Sequence, residues 1–256
     1  MKVSRLFFLV VGVLLIAGPA MAAEPLRAVP FEFIGKAGDC GATSPAGSHI
    51  VTSAWLGGIG LPDNGGANTT PADEATPAGN PNKNDPHRGL LLSKNGPTAD
   101  CSSAGATITG VKGMTVPATG FELGFDYRNG GHCGAGSPRY NVVVTPPSGP
   151  NTFHFVGGCA NGTKTPAPQD TVEWTRVRFN TSIPAQSSPV IPPGSTIVSI
   201  NLLVDEGTDS TSTPDDPNGV GLSVVDNLDI NGTLITTGRG IADDTGGEGN
   251  GTGPNE

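Results

Sequence analysis

The stretch Phe121–Arg128 reads FELGFDYR, with apolar and polar side chains in alternation. Its odd-numbered residues are Phe, Leu, Phe and Tyr, and its even-numbered residues are Glu, Gly, Asp and Arg. Successive side chains of a strand point to opposite faces, so the aromatic set lies on one face and the charges lie on the other. The pattern therefore predicts a strand whose apolar face meets a core and whose charged face meets water.

Similar apolar segments recur along the chain and predict about ten strands. Within them, Phe153 with Phe155 and Val177 with Phe179 repeat the apolar side of the alternation. No segment has a helical period, and 39 Gly with 24 Pro in 256 residues disfavour long helices. The pattern predicts an all-β fold, an antiparallel two-sheet β-sandwich of jelly-roll type. The predicted strands are Phe31–Ile34, His49–Trp55, Gly89–Ser93, Ala106–Val111, Phe121–Arg128, Arg139–Thr145, Thr152–Gly158, Val172–Phe179, Val198–Val204 and Val220–Ile235.

The N-terminus has the composition of a secretory signal peptide. Lys2 and Arg5 precede an apolar run from Leu6 to Ala17, and Ala20-Met21-Ala22 supplies small residues for cleavage. A run of about 12 residues is shorter than the ~20 needed to cross a bilayer. We expect residues 1–22 to be removed and the mature chain to be extracellular, or periplasmic if the source has an outer membrane, with no membrane insertion after cleavage.

The mature chain is predicted to form one β-sandwich domain over residues 23–237. Within it, residues 62–88 hold almost no large apolar side chain, and this composition predicts a flexible surface loop. Residues 238–256 are Gly-rich and acidic, and they are predicted to form a disordered tail. A formal net charge of −9 disfavours nucleic acid as a partner.

Four cysteines remain after the predicted cleavage site, at positions 40, 101, 133 and 159. An even number in an oxidising compartment predicts disulfides. The segments 139–145 and 152–158 flank a Pro/Gly turn and predict a hairpin, which places Cys133 and Cys159 near its open end. We therefore expect Cys133 to pair with Cys159 and Cys40 to pair with Cys101.

Asp226 stands in the apolar series Val220, Leu222, Val224, Leu228 and Ile230, so a regular strand turns its carboxylate toward the core. A buried carboxylate needs amide donors, a cation or a metal. One interpretation is that Asp226 caps backbone amides at a β-bulge, without an ion.

The other interpretation rests on a resemblance. Val225-Asp226-Asn227-Leu228-Asp229-Ile230, together with Phe31-Glu32-Phe33 near the start of the domain, is similar to the end strands of secreted carbohydrate-binding modules of the galactose-binding-like jelly-roll type. The resemblance implies one structural calcium ion held by Glu32 and Asp226, and it implies an extracellular glycan as ligand. The long loop and the two disulfides are not part of that family's pattern.

Trp174, Arg176 and Arg178 share one side of a predicted strand, opposite Val177 and Phe179. On a regular strand they face outward, where a tryptophan beside guanidinium groups can stack on a sugar ring and donate to its hydroxyls. They are therefore the candidate ligand-binding residues. The alternative is a bulge near Thr175 that turns Trp174 into the core.

No catalytic residues are assigned, because the chain lacks the nucleophile-elbow, zinc-protease, P-loop and dinucleotide motifs. The acidic group Asp205, Glu206, Asp209, Asp215 and Asp216 is interpreted as a solvated turn. The first hypothesis for function is a secreted, non-catalytic module that binds an extracellular glycan or polymer. A structural or cell-surface protein without a small-molecule ligand is the first alternative, and a concanavalin-like glycan hydrolase or lyase is the second.

Overall fold

The computed structural model describes residues 24–48, 50–62, 68–70, 86–210 and 219–242. These residues form fourteen strands and no α-helix, with one 3-10 turn at Cys159–Asn161. In chain order the strands are β1 (Arg27–Ile34), β2 (Val51–Leu56), β3 (Asn68–Thr69), β4 (Gly89–Lys94), β5 (Ser102–Thr109), β6 (Glu122–Arg128), β7 (Arg139–Thr145), β8 (Thr152–Gly157), β9 (Thr163–Ala167), β10 (Asp170–Asn180), β11 (Ser187–Ser188), β12 (Thr196–Val204), β13 (Leu222–Ile230) and β14 (Thr233–Ile235).

The strands form two antiparallel sheets. The first sheet has the order β1-β5-β12-β7-β8-β11. The second has the order β2-β4-β13-β6-β10-β9, with β14 paired to β13 and β3 paired to β14. The chain passes from one sheet to the other several times, and the predicted antiparallel β-sandwich is confirmed.

The core lies between the two sheets and is built by the alternation seen in the sequence. Leu123, Phe125 and Tyr127 of β6 point into it and are buried, as predicted. From the opposite sheet, Tyr140 of β7 brings its ring centroid to 6.2 Å from that of Phe125. The Tyr140 hydroxyl donates to the Gly124 carbonyl at 2.6 Å, and this hydrogen bond joins the two sheets. It also satisfies a buried hydroxyl, which would destabilise the fold if it had no partner.

The outer face of the first sheet carries two phenylalanines that the alternation had assigned to the core. In β8 the inward residues are His154 and Val156, both buried, while Phe153 and Phe155 point outward. The prediction for this pair is wrong because the core accommodates the histidine, whose Nδ1 lies 2.8 Å from the Pro189 carbonyl oxygen. The first sheet therefore exposes aromatic surface to solvent.

A β-bulge in β13 overturns the predicted facing of its first half. Val225 pairs with Tyr127, but four residues later Asp229 pairs with Gly124, which is only three residues along β6. The extra residue lies in Asp226–Leu228, where Asn227 adopts a φ of 46°. The bulge leaves Leu228 and Ile230 in the core as predicted, but it places Val224 and Asp226 on the outer face of the second sheet.

The strand predicted over Val220–Ile235 is in fact two strands, β13 and β14, joined by a turn at Asn231–Gly232. The short strands β3, β9 and β11 were not predicted. Their two to five residues contain little apolar alternation, so the sequence carries little signal for them.

Both predicted disulfides are confirmed. Cys40 and Cys101 lie 5.5 Å apart at Cα, and Cys133 and Cys159 lie 4.9 Å apart. The second bridge joins the segment before β7 to the end of β8, which is the open end of the predicted hairpin. The first bridge ties the chain after β1 to the start of β5.

Parts of the predicted loop and tail are paired with the sandwich. Within 62–88, Thr69 of β3 pairs with Leu234 of β14. Beyond position 238, the Gly240 carbonyl accepts from the Trp55 N–H at 3.0 Å, and Ala242 N–H donates to the Ser53 carbonyl at 2.8 Å. The chain thus follows the edge of β2 as far as Ala242, past the predicted start of the tail.

Other predicted segments fall wholly or mostly outside the described residues. They are the signal peptide at 1–22, most of the loop at 63–67 and 71–85, and the tail after 242. Among the residues that are described, no helix has the length and apolar character needed to cross a bilayer.

Candidate functional site

A cleft of about 550 Å³ opens at one end of the outer face of the first sheet. We call it the aromatic cleft and define it by Phe33, Phe155, Arg139, Asp100, Asp205 and Glu206. The Cys40–Cys101 disulfide holds the loop that forms one wall, and this loop contributes Gly41, Thr43 and Pro45. Strands from both sides of the first sheet therefore meet a covalently tethered loop at this end of the molecule.

Two phenylalanines line the aromatic cleft from opposite sides. Phe33 lies on β1, and Phe155 lies on β8, four strands away, or about 19 Å at ~4.8 Å per strand. Phe155 is 39% exposed, and its ring packs edge-on against Phe153 with centroids 4.9 Å apart. The same ring also lines an adjoining cavity of about 290 Å³, so Phe155 contributes to both the aromatic cleft and this cavity. An exposed aromatic ring in this position can stack on the apolar face of a sugar.

Arg139 forms the charged floor of the cleft, and its partners fix it there. The guanidinium makes a bidentate pair with Asp205, with both N–O distances at 2.6 Å, and it lies 5.1 Å from the Phe155 ring centroid. It also donates to the Gly136 carbonyl at 2.9 Å and to Asn141 Oδ1 at 3.1 Å. A guanidinium with four partners positions its neighbours and has little capacity left for a ligand.

Lys94 holds the wall beneath the cleft. Its ammonium is buried and donates to the carbonyls of Thr98, Asp100 and Asp205 at 3.0, 2.6 and 2.9 Å. Burial lowers the pKa of Lys94, although the nearby carboxylates act in the opposite direction. The three carbonyl contacts join the turn before β5 to the end of β12, so the cleft has a rigid base.

Two carboxylates line the aromatic cleft, Asp100, which is buried, and Glu206, which is half-buried. Burial acts to raise the pKa of each, but hydrogen bonds outweigh it and hold both values below their usual range. Asp100 accepts from the Ser48 hydroxyl at 2.6 Å, and Glu206 Oε2 lies 2.8 Å from His132 Nε2. Glu206 also accepts from the Ser137 N–H at 2.9 Å. Carboxylates of lowered pKa stay charged at neutral pH. Both oxygens of Asp100 already accept from Ser48, whereas the Glu206 side chain is 19% exposed and can accept hydrogen bonds from hydroxyl groups.

The interpretation of the acidic group before β13 as a solvated turn is wrong for two of its members. Asp205 is paired with Arg139, and Glu206 contacts His132 and Ser137, so both belong to the cleft. Asp209 is exposed and accepts from the Thr98 N–H at 2.7 Å. Asp215 and Asp216 lie outside the described residues.

The predicted ligand-binding residues occupy the second sheet, and their surroundings differ from the prediction. The register of β10 against β9 shifts between Asp170 and Thr175, near the position of the alternative bulge, but Trp174 still pairs with Arg128 of β6 and stays on the outer side. It is nevertheless only 4% exposed, because Leu61 and Ala167 form a small apolar cluster with it. Trp174 thus offers no open face for a sugar.

Arg176 and Arg178 are likewise engaged within the protein. Arg176 makes a bidentate pair with Asp126 at 2.9 and 3.0 Å, and Arg178 Nε lies 2.9 Å from Asp229 Oδ2. Asp126 was expected in water with the other charges of β6, but it is fully buried under this network. The paired arginines compensate its charge, which explains how it can be buried.

The two predicted calcium ligands contact different backbone amides. The Asp226 carboxylate is buried and accepts from Leu61 N–H at 2.8 Å and from Asn227 N–H at 2.7 Å. Glu32 accepts from Ser53 N–H at 3.2 Å. In the described part of the chain, no group of three or more His, Cys, Asp or Glu is arranged to hold a metal ion. The geometry favours the interpretation in which Asp226 caps amides at the bulge, and the shared calcium stays a prediction.

A pair of carboxyl groups lies at the end of the second-sheet network. Partial burial, the charge of Asp229 and a hydrogen bond with its side chain raise the pKa of Glu122, against the opposing effect of Arg178. Asp229 also accepts from Gly232 N–H at 2.7 Å. Two convergent carboxyl groups, one of them with a raised pKa, are an arrangement that acid–base catalysts use. Neither residue lines the aromatic cleft or its adjoining cavity.

Sequence comparison assigns no family to this arrangement. No family model matches the chain, and no curated protein matches it at a significant level. The functional conclusion therefore depends on the geometry of the cleft itself.

Proposed function

We propose that this protein is a secreted, non-catalytic β-sandwich module that binds an extracellular glycan in the aromatic cleft. The observation that carries the proposal is the placement of Phe33 and Phe155 in one cleft of about 550 Å³. Aromatic rings supply the apolar contact that sugar faces need, and polar groups around them fix the orientation of a ligand.

The polar groups around the rings suit a ligand rich in hydroxyl groups. Glu206 has a lowered pKa and presents an ionised acceptor, whereas Asp100 is occupied by Ser48 and Arg139 is occupied by Asp205. The cleft thus favours hydrogen-bond donors over an anion. Because the disulfide, the Arg139–Asp205 pair and the Lys94 contacts hold the walls in place, binding orders few groups and loses little entropy.

The compartment is part of the proposal. Two disulfides suit an oxidising environment, and the composition of residues 1–22 is that of an export signal. A glycan outside the cell is a partner to which such a chain has access.

A glycan array with the chain from residue 23 onward tests the proposal. We expect retention of at least one neutral glycan and a loss of about tenfold in affinity for Phe155→Ala, since stacking contributes on the order of 1 kcal/mol. Val172→Ala is the matched control, because Val172 is 82% exposed and lies on β10 of the other sheet. Absence of any retained glycan, or unchanged binding by both Phe33→Ala and Phe155→Ala, would favour the structural or cell-surface alternative.

The glycan hydrolase or lyase is kept as a second candidate because of the Glu122–Asp229 pair. Its test is the release of reducing or unsaturated sugar ends from retained glycans. Product formation that is abolished by Glu122→Gln would favour the enzyme over the binding module. Product formation that persists in this variant would exclude this pair as the catalytic groups.

A further inference from the structure

A second cleft, of about 740 Å³, is lined by the first half of β1, by the segment before β4 and by the segment after β14. Three arginines line it, Arg27 of β1, Arg88 before β4, and Arg239 after β14. We call it the arginine cleft. Arg27 and Phe33 are six residues apart on β1, or about 20 Å at ~3.3 Å per residue, so this cleft is separate from the aromatic cleft.

The charge state of the arginine cleft is unusual for this chain, whose formal net charge is −9. In the two sheets, Arg139 is paired with Asp205 and Arg176 is paired with Asp126. None of the ion pairs formed among the described residues involves Arg27, Arg88 or Arg239. Within the described part of the chain, the one hydrogen bond of these three guanidinium groups joins Arg88 Nη1 to the Trp55 carbonyl, at 3.5 Å.

The rest of the lining is mostly apolar. Leu26, Ala28, Val29 and Pro86 line the cleft beside the three arginines, and Val29 is 47% exposed. A ligand that fills the cleft must therefore present carboxylates or similar groups to the arginines and apolar C–H surface to these side chains. Uronic acid residues have both, because each ring carries one carboxylate beside two faces of C–H groups.

We propose that the arginine cleft binds the carboxylate groups of an acidic oligosaccharide. Guanidinium groups match carboxylates in bidentate geometry and remain charged at every physiological pH. The overall negative charge does not prevent this, since the Debye length of about 8 Å at physiological ionic strength screens distant carboxylates more than the three adjacent arginines. The site adds a ligand class to the neutral glycan of the aromatic cleft and does not depend on it.

Titration calorimetry with trigalacturonate, and with its fully methyl-esterified form, tests this proposal. We expect the wild-type protein to bind trigalacturonate and to bind the neutral ester at least tenfold more weakly. The variant Arg27→Gln/Arg88→Gln/Arg239→Gln should lose about tenfold or more in affinity, as the loss of three charge contacts predicts.

The matched control is Lys36→Gln/Arg128→Gln/Lys164→Gln, which removes the same charge at exposed positions outside the cleft. Equal losses in the two triple variants would assign binding to net charge and overturn the proposal. Equal affinity for the acid and the ester would also overturn it, and so would a wild-type protein that does not bind the acid. If the first variant melts at a lower temperature, Arg27→Gln/Arg239→Gln changes only exposed residues and should still lose affinity. Phe155→Ala should bind trigalacturonate as the wild type does, which separates this site from the aromatic cleft.

Discussion

The replacement of Asp226 by alanine should cost this protein a large part of its stability. The Asp226 side chain is buried on the outer face of the second sheet. Its carboxylate receives the N–H of Leu61 at 2.8 Å and that of Asn227 at 2.7 Å. The first contact holds the segment after β2, and the second holds the bulge in β13. Alanine removes both acceptors and supplies none.

The magnitude follows from the two donors that would be left. A buried donor without an acceptor costs about 1 to 3 kcal/mol. Two such donors give about 2 to 4 kcal/mol, once part of the penalty is relieved by water entering the space of the missing carboxylate. With a urea m-value of about 2 to 3 kcal/mol/M, the unfolding midpoint should fall by roughly 0.7 to 2 M at unchanged slope.

Urea unfolding at pH 7 of the wild type, Asp226→Ala and Asp209→Ala measures the effect. Asp209 also accepts a backbone N–H, that of Thr98, but it is exposed, so its replacement should shift stability by less than about 1 kcal/mol. A loss below about 1 kcal/mol for Asp226→Ala would refute the assignment of two buried amide contacts to this carboxylate. Unfolding of the wild type and Asp226→Ala with and without a chelator tests the calcium prediction. If Glu32 and Asp226 hold an ion, the chelator lowers the stability of the wild type and leaves that of Asp226→Ala unchanged.

Two other predictions follow from the disulfides and from Glu122. Replacing Cys133 and Cys159 together by alanine opens a loop of 26 residues and should cost about 3 kcal/mol in urea unfolding, and a loss below about 1 kcal/mol would contradict the chain-entropy estimate. The pKa of Glu122 is raised from an ordinary value of 4.5, so the folded state holds this proton more tightly than the unfolded state. The protonated Glu122 therefore contributes to the stability of the folded state at acid pH, and this contribution is lost as pH rises above about 4.5 through the raised pKa. Between pH 4 and 7 the wild type should lose stability relative to Glu122→Gln, and parallel curves would argue against the raised pKa.

The sequence predicted the sandwich where one parity alone carried the apolar residues. In β6 the core side is unambiguous, because Leu123 and Phe125 alternate with polar or small neighbours. The disulfides could be predicted for a related reason, since the hairpin formed by β7 and β8 brings its two ends together.

The facing of β13 could not be predicted by the same rule. Before Asp226, apolar residues stand on both parities, with Leu222 and Val224 on one and Val225 on the other. A regular strand and a bulged strand therefore both direct apolar side chains into the core. The one local signal is Asn227, a residue type that tolerates the positive φ of a bulge better than most. Alternation alone therefore predicts a regular strand through Asp226, without the extra residue.

The aromatic cleft was not predicted from the sequence, because the alternation assigned Phe155 to the core. The register of the hairpin places this residue correctly. On hydrophobicity alone, Phe153 and Phe155 belong in the core more than His154 does. Yet residues opposite each other in a hairpin share a face, and the turn between β7 and β8 places Phe155 opposite Asn141. Asn141 lies on the polar parity of β7, with Arg139, so Phe155 must lie on the outer face as well. An aromatic residue that register places on the polar face of a sheet cannot be explained by core packing, and its exposure makes it a candidate for binding.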